Sequence, residues 1–240
     1  MHFIYTILFF FSFGTFSSFS QLKIKGEGEP ITKILALEDF NSISVVGSND
    51  VIVKQGDKQE VKVIGHSNII DKIELKVKNG VWKVQLQNGS YANYQLKYYI
   101  TIPEIKSVYL VGSANVTLSD FNESKNISLK VISSGDIQLN SMNGVDNLKV
   151  DIVGSGNVQA NSEYSLIHKV EVKITGSGNF NGGNLKAENC EVNITGSGNA
   201  SVEVVQKLIA KITGSGNVYY KGQAEIVKEI TGSGVVEDRN

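Results

Sequence analysis

Cysteine, proline, tryptophan and arginine are nearly absent from this chain. Its 240 residues hold one Cys, two Pro, one Trp and a single Arg, Arg239, among 23 basic residues. One Cys excludes an internal disulfide framework and a Cys-based zinc site. Two Pro exclude a proline-rich linker and a collagen. A net charge of −1 with one Arg excludes the basic patch that nucleic-acid binders present to phosphates, so no nucleic acid is expected as a partner. Charged residues are 20% of the chain and evenly signed, which excludes a typical disordered tail. What is abundant is glycine (24) and asparagine (22), set among many Val and Ile. Glycine without proline in such surroundings serves chain turns.

Residues 1–13 read MHFIYTILFFFSF, an uncharged apolar run that passes into small residues before Gln21. Ser18 and Ser20 fit the small-x-small pattern of a signal-peptidase site, so residues 1–20 are expected to be a cleaved signal peptide. The run is short of the roughly 20 apolar residues that a membrane span needs. The expectation is a chain exported to the periplasm, the outer surface or the medium, with no integral membrane segment after cleavage.

One tetrapeptide organises the rest. It occurs as Gly112-Ser113-Ala114-Asn115, Ser133-Ser134-Gly135-Asp136, Gly154-Ser155-Gly156-Asn157 and Gly176-Ser177-Gly178-Asn179. It returns as Gly196-Ser197-Gly198-Asn199, Gly214-Ser215-Gly216-Asn217 and Gly232-Ser233-Gly234-Val235, with a lone early copy at Gly47-Ser48-Asn49-Asp50. The intervals from 112 onward are 21, 21, 22, 20, 18 and 18 residues, and a period near 20 marks a stacked architecture. Around each copy the apolar residues alternate, as in Leu148, Val150, Ile152 before the turn and Val158, Ala160 after it. Strand, glycine corner, strand, with one face buried, is one coil of a parallel β-helix. A leucine-rich repeat has a similar period and ranks second, since it wants Leu at most core positions and a helical piece per unit, whereas the core here is Val and Ile.

Aligning the coils gives columns. One inward column reads Val131, Ile152, Ile174, Ile194, Ile212, Ile230 and the next reads Leu129, Val150, Val172, Val192, Ala210, Lys228. The charge at Lys228 falls where a solenoid must end and face water. An outward column, Lys130, Asp151, Lys173, Asn193, Lys211, Glu229, keeps like charges apart. The corner column Asn115, Asp136, Asn157, Asn179, Asn199, Asn217 is expected to form a side-chain ladder, as stacked amides do. Glycine supplies the positive φ of a tight corner.

Residues 21–105 are strand-rich without the strict period and read as irregular early coils of the same solenoid. Residues 106–240 are the regular repeats with a C-terminal cap. The 65 residues from Gly47 to Gly112 leave room for about three coils at this period, and Asn79-Gly80 marks a hairpin turn.

Phe40-Asn41-Ser42-Ile43, the corner at Gly47, Ile100-Thr101-Ile102-Pro103 and the run 108–116 with Gly112-Ser113, in that order, resemble the head GIN domain family of auto-transporter adhesins. The resemblance spans about residues 33–225. It implies a right-handed parallel β-helix-like fold without recognised catalytic residues, and a role in cell adhesion.

The residues themselves offer little chemistry. No corner continues to Gly-Lys-Ser/Thr or opens a helix, so none is a phosphate loop. His66 and His168 have no triad spacing, and Cys190 falls in an inward column. Glu171 and Glu191 stack in adjacent coils, yet on an open face rather than in the pocket a carboxylate pair needs. No catalytic, cofactor-binding or metal-binding residue is expected. The candidate ligand contacts are Tyr91 and Tyr94 in a polar loop, since aromatic faces hold sugar rings; Tyr99 and Tyr219 also point outward. The expectation is an exported, non-enzymatic envelope adhesin or binding protein for a glycan or a cell-surface or matrix ligand. The alternatives are a polysaccharide-active β-helix enzyme and a purely structural envelope protein.

Overall fold

The computed structural model describes residues 23–161 and 166–240; the signal peptide expected over residues 1–20 lies outside the described residues. Two parallel strand stacks meet along the glycine corners. The first runs through Ser107–Gly112, Asn126–Ser133, Asn147–Gly154 and Ile167–Gly176, and then through the second halves of Asn179–Gly196 and Asn199–Gly214 to Glu225–Gly232. The second runs through Asn115–Ser119, Asp136–Asn140 and Asn157–Ala160, then the first halves of the two long strands, and ends at Asn217–Lys221 and Val235–Asp238. Phe121, Met142, Leu185 and Val204, in segments that return from the second stack to the first, are buried in the core. The chain is therefore a parallel β-solenoid.

The register follows the aligned columns. Val150 pairs with Val172, Val172 with Val192, Val192 with Ala210 and Ala210 with Lys228. Val150, Val172, Val192 and Ala210 are buried, whereas Lys228 is exposed on the last coil. Cys190 lies buried between Val170 and Leu208. In the outward column Lys130 meets Asp151 at 2.8 Å.

Two glycines per corner have separate causes. The first adopts φ of +117° to +126° at Gly112, Gly154, Gly176, Gly196, Gly214 and Gly232, a region costly to any residue with a Cβ. Ser133 occupies the same position at φ +90°. The third corner residue is constrained by proximity instead. A Cβ on Gly156, Gly178, Gly198, Gly216 or Gly234 would stand 2.2–2.3 Å from the carbonyl oxygen one coil earlier. It would also strike an apolar side chain of that coil, such as Ile152 beneath Gly178. At these five corners the coils stack at about 4.8 Å only because this position is bare.

The early region departs from a simple run of coils. Gly47 pairs directly with Gly112, so Ser42–Gly47 and Asp50–Gln55 sit immediately against the coil that begins at 107. The intervening chain does not fill the gap with three coils. It doubles back to the outer side, where Val81–Val84 and Lys97–Ile102 add one parallel row beyond residues 42–55. Antiparallel strands Glu60–Gly65 and Ile31–Leu35 then extend the second stack and end it. The hairpin at Asn79-Gly80 is present, with φ of 52° and 72° and Val77–Lys78 antiparallel to Val81–Val84. The single helix among the described residues is Ser67–Ile70, which buries Ile69 and Ile70 beside this cap. No helix among them is long and apolar enough to cross a membrane.

Candidate functional site

The corner column comes together in two segments. Asp50 accepts a bond from Asn115 Nδ2 at 3.1 Å. The second segment begins at Asp136, whose Oδ1 accepts both the N–H and the Nδ2 of Asn157 at 2.9 and 2.8 Å. Asn179, Asn199 and Asn217 repeat this double donation, each to the Oδ1 of the coil before, at 2.9–3.2 Å. Val235 has no amide but still donates its N–H to Asn217 Oδ1 at 3.2 Å. All these amides point the same way, with Nδ2 toward the N-terminal end of the stack. The positive ends of their aligned dipoles therefore face the Asp136 carboxylate, an acceptor with no hydrogen to clash. Asn126 with Asn147 and Asn140 with Asn161 stack likewise on the flanks. At the corner the serine backbone N–H bonds the previous coil, as Ser177 does to Gly154 O at 2.9 Å, and the Ser215 and Ser233 hydroxyls also meet at 3.2 Å.

Tyr91 and Tyr94 come together at the N-terminal end of the corner line. Tyr91–Ala92 pairs with Ile24–Lys25, which fixes the loop to the cap. The two rings meet edge to face with centroids 6.0 Å apart, and Tyr91 Oη donates to Gln87 O at 2.9 Å. They border a groove of about 230 Å³ whose other walls are Val46 and Asn49 of the first corner and the segment 85–89. No charged residue lines it. The other two outward tyrosines are already covered by cations: Lys62 and Lys97 stand 5.1 and 5.7 Å from the Tyr99 ring, and Arg239 stands 4.8 Å from that of Tyr219.

Two larger open grooves escaped the sequence reading. One, of about 570 Å³, lies over Ile127 and Leu148 and is rimmed by Lys106, Lys149, Lys169, Glu104 and Glu171. The other, of about 560 Å³, lies beside Phe40, Asp57 and Pro103. Their lining residues come from several coils, and only the register that joins Asn126 to Asn147 to Lys169 could have signalled the first.

The candidate acids are in service elsewhere. Glu171 pairs with Lys169, and that bond holds its carboxyl below the usual carboxylate range. Glu191 is its neighbour in the next coil and accepts Asn193 Nδ2 at 3.0 Å. A general acid of a glycosidase needs the opposite shift. His168 Nδ1 lies 2.8 Å from Glu188 Oε2, while His66 packs over Gly26 in the cap. Burial pushes the Cys190 thiol up to about 12, which removes its thiolate. No group of three or more His, Cys, Asp or Glu that could hold a metal occurs among the described residues.

Comparison with known proteins places this architecture. The family model described as "Putative auto-transporter adhesin, head GIN domain" matches residues 39–224. A "putative adhesin" of Bacteroides fragilis superposes with a TM-score of 0.76 at 23% identity, covering 90% of this chain and all of that one. A "putative adhesin" of Parabacteroides distasonis gives 0.73 at 22%, with the same coverage. A "putative lipid binding protein" of Parabacteroides distasonis gives 0.73 at 27%, covering 91% of this chain and all of that one. No functionally curated protein matches. Corner spacing, solenoid and family model agree over most of the length, and the chain belongs to the head GIN domain family.

Proposed function

We propose that this protein is an exported, non-enzymatic binding protein of the cell envelope, acting as an adhesin. The observation that carries the reading is the employment of its reactive groups. The Glu171 carboxylate is ion-paired and held ionised, the thiol is buried, and the grooves are open to solvent. What remains outward is a long, flat, stacked surface, which is a form suited to holding an extended ligand. The family's description as adhesins supports the same role. The apolar leader at residues 1–20 supports export.

The test is paired. The purified chain, immobilised on beads, is challenged with cells, matrix proteins and polysaccharides, and the same polysaccharides are incubated with it in solution and examined for released oligosaccharide. Retention without release is expected. Release of oligosaccharide would replace this reading with a polysaccharide-active enzyme, and neither retention nor release would leave a structural envelope protein.

A further inference from the structure

The charges of this solenoid are not spread evenly around its section. Residues 153–159, 175–181, 195–201 and 213–219, the septets that turn four successive corners, contain no Lys, Arg, Asp or Glu, while those at the two ends, 46–52 and 231–237, hold only Asp50, which accepts from Asn115, and Glu237, which pairs with Arg239. Residues 111–117 contain none either, and residues 132–138 contain only Asp136, which is occupied by Asn157. The strands that lead into these corners are charged in the same coils, as in Lys169, Glu171 and Lys173 or Lys207 and Lys211.

Register turns these septets into surface columns. Val46, Val111, Ile132 and Val153 continue as Thr175, Thr195, Thr213 and Thr231, one residue per coil. The four threonines and Val153 are exposed, as are Ser155, Ser177, Ser197 and Ser215 beside them. Past the ladder, Gln138, Gln159, Asn181 and Ser201 form another uncharged column. Hydroxyls, amides and methyls thus repeat at about 4.8 Å along a neutral ridge. The ridge begins at Val46 and Asn49, which also wall the Tyr91–Tyr94 groove.

We infer that this ridge and groove bind a neutral polysaccharide chain lying along the solenoid axis, a ligand class that rests on the binding role proposed above. The chemistry selects it on three counts. A surface whose few carboxylates are already bonded within the protein, and which carries no free cation, offers nothing to an anionic polymer and imposes no desolvation of unpaired charge. Hydroxyls and amides supply both donors and acceptors, as a sugar does. The Tyr91 and Tyr94 rings that line the groove and the β-branched methyls suit the C–H faces of pyranose rings, and an aromatic wall with a few polar groups is the usual lining of a small-ligand site.

The test uses the full chain in affinity electrophoresis through gels containing neutral β-glucan, xylan or mannan, or acidic polygalacturonate or alginate, at low and high salt. Expected is retardation by at least one neutral polymer, unchanged between about 0.05 and 0.5 M salt because screening acts only on charges. Tyr94→Ala is expected to weaken it about tenfold, and Thr195→Lys or Thr213→Lys severalfold. Lys149→Glu and Lys186→Glu, which lie away from the threonine column, leave it unchanged. Thermal melting of each variant separates lost binding from lost folding. Salt-sensitive retardation by acidic polymers alone, abolished by Lys211→Glu, would overturn the ridge and leave the adhesin reading intact. Retention of cells or matrix protein with no polysaccharide bound would do the same. No binding partner of any kind would overturn both.

Discussion

Replacing Asn179 with Val tests the ladder where it is complete on both sides. The substitution removes the Nδ2 bond to Asn157 Oδ1 at 2.9 Å. It also removes the acceptor for Asn199 N–H and Nδ2, at 3.2 and 3.1 Å. The Asn179 N–H keeps its bond to Asn157 Oδ1, so the corner below is undisturbed. Three side-chain bonds at about 1 kcal/mol each give a loss of roughly 3 kcal/mol. The good strand propensity of Val returns a few tenths of that. For a chain of this size about 2–4 °C accompanies each kcal/mol, so melting followed by circular dichroism should fall by about 6–12 °C with the β spectrum unchanged. Asn217→Val removes only two such bonds, to Asn199 Oδ1 and from Val235 N–H, and should cost about two-thirds as much. Equal and negligible shifts in both variants would show that the amides merely line up without stabilising the coils.

Three further substitutions probe the packing. Gly178→Ala places a methyl 2.3 Å from Gly156 O and 2.6 Å from Ile152 Cγ2, so a loss of about 3 kcal/mol or more is expected in denaturant titration; a near-neutral result would mean that the coils can separate. Ser133→Gly relieves a positive φ of 90° at a position otherwise held by glycine, and should raise stability by about 1 kcal/mol once the entropy of glycine is counted. Tyr98 buries its hydroxyl without a hydrogen-bond partner, and burial raises its pKa. Tyr98→Phe should therefore be neutral or stabilising by about 1 kcal/mol, and a loss of that size would reveal a partner for the hydroxyl.

The regular half of the fold was legible because one tetrapeptide recurs and its flanks alternate with period 2. Aligning Gly154, Gly176 and Gly196 places Val150, Val172 and Val192 in one column, which is the observed pairing. The same alignment puts Lys228 after Ala210, and it is exposed where the earlier members of the column are buried. The early region was not legible in the same way. Val61, Val63, Tyr98 and Ile100 alternate like any solenoid strand, yet Glu60–Gly65 and Lys97–Ile102 pair antiparallel. Alternation reports which face is buried and carries no direction. Which row lies against Ser42–Gly47 is decided by contacts between residues 39 to 65 positions apart, and local pattern does not encode them.

The candidate site was legible in part. Tyr91 and Tyr94 stand in a polar loop, but the opposing walls, Val46, Asn49 and Gln85, are brought there by the cap. The neutral ridge is written in the septets, but it becomes a surface only when register sets Thr175, Thr195 and Thr213 side by side. The grooves over Ile127 and beside Phe40 depend on residues that no motif joins.

The most direct measurement is calorimetric titration of the intact chain with a neutral oligosaccharide chosen from the gel screen, with the recovered sugar analysed for chain length. A saturable isotherm insensitive to salt, weakened about tenfold in Tyr94→Ala, with every sugar chain recovered at its starting length, is the expected result. Shortened chains, or an isotherm that salt abolishes and Tyr94→Ala leaves untouched, would contradict it.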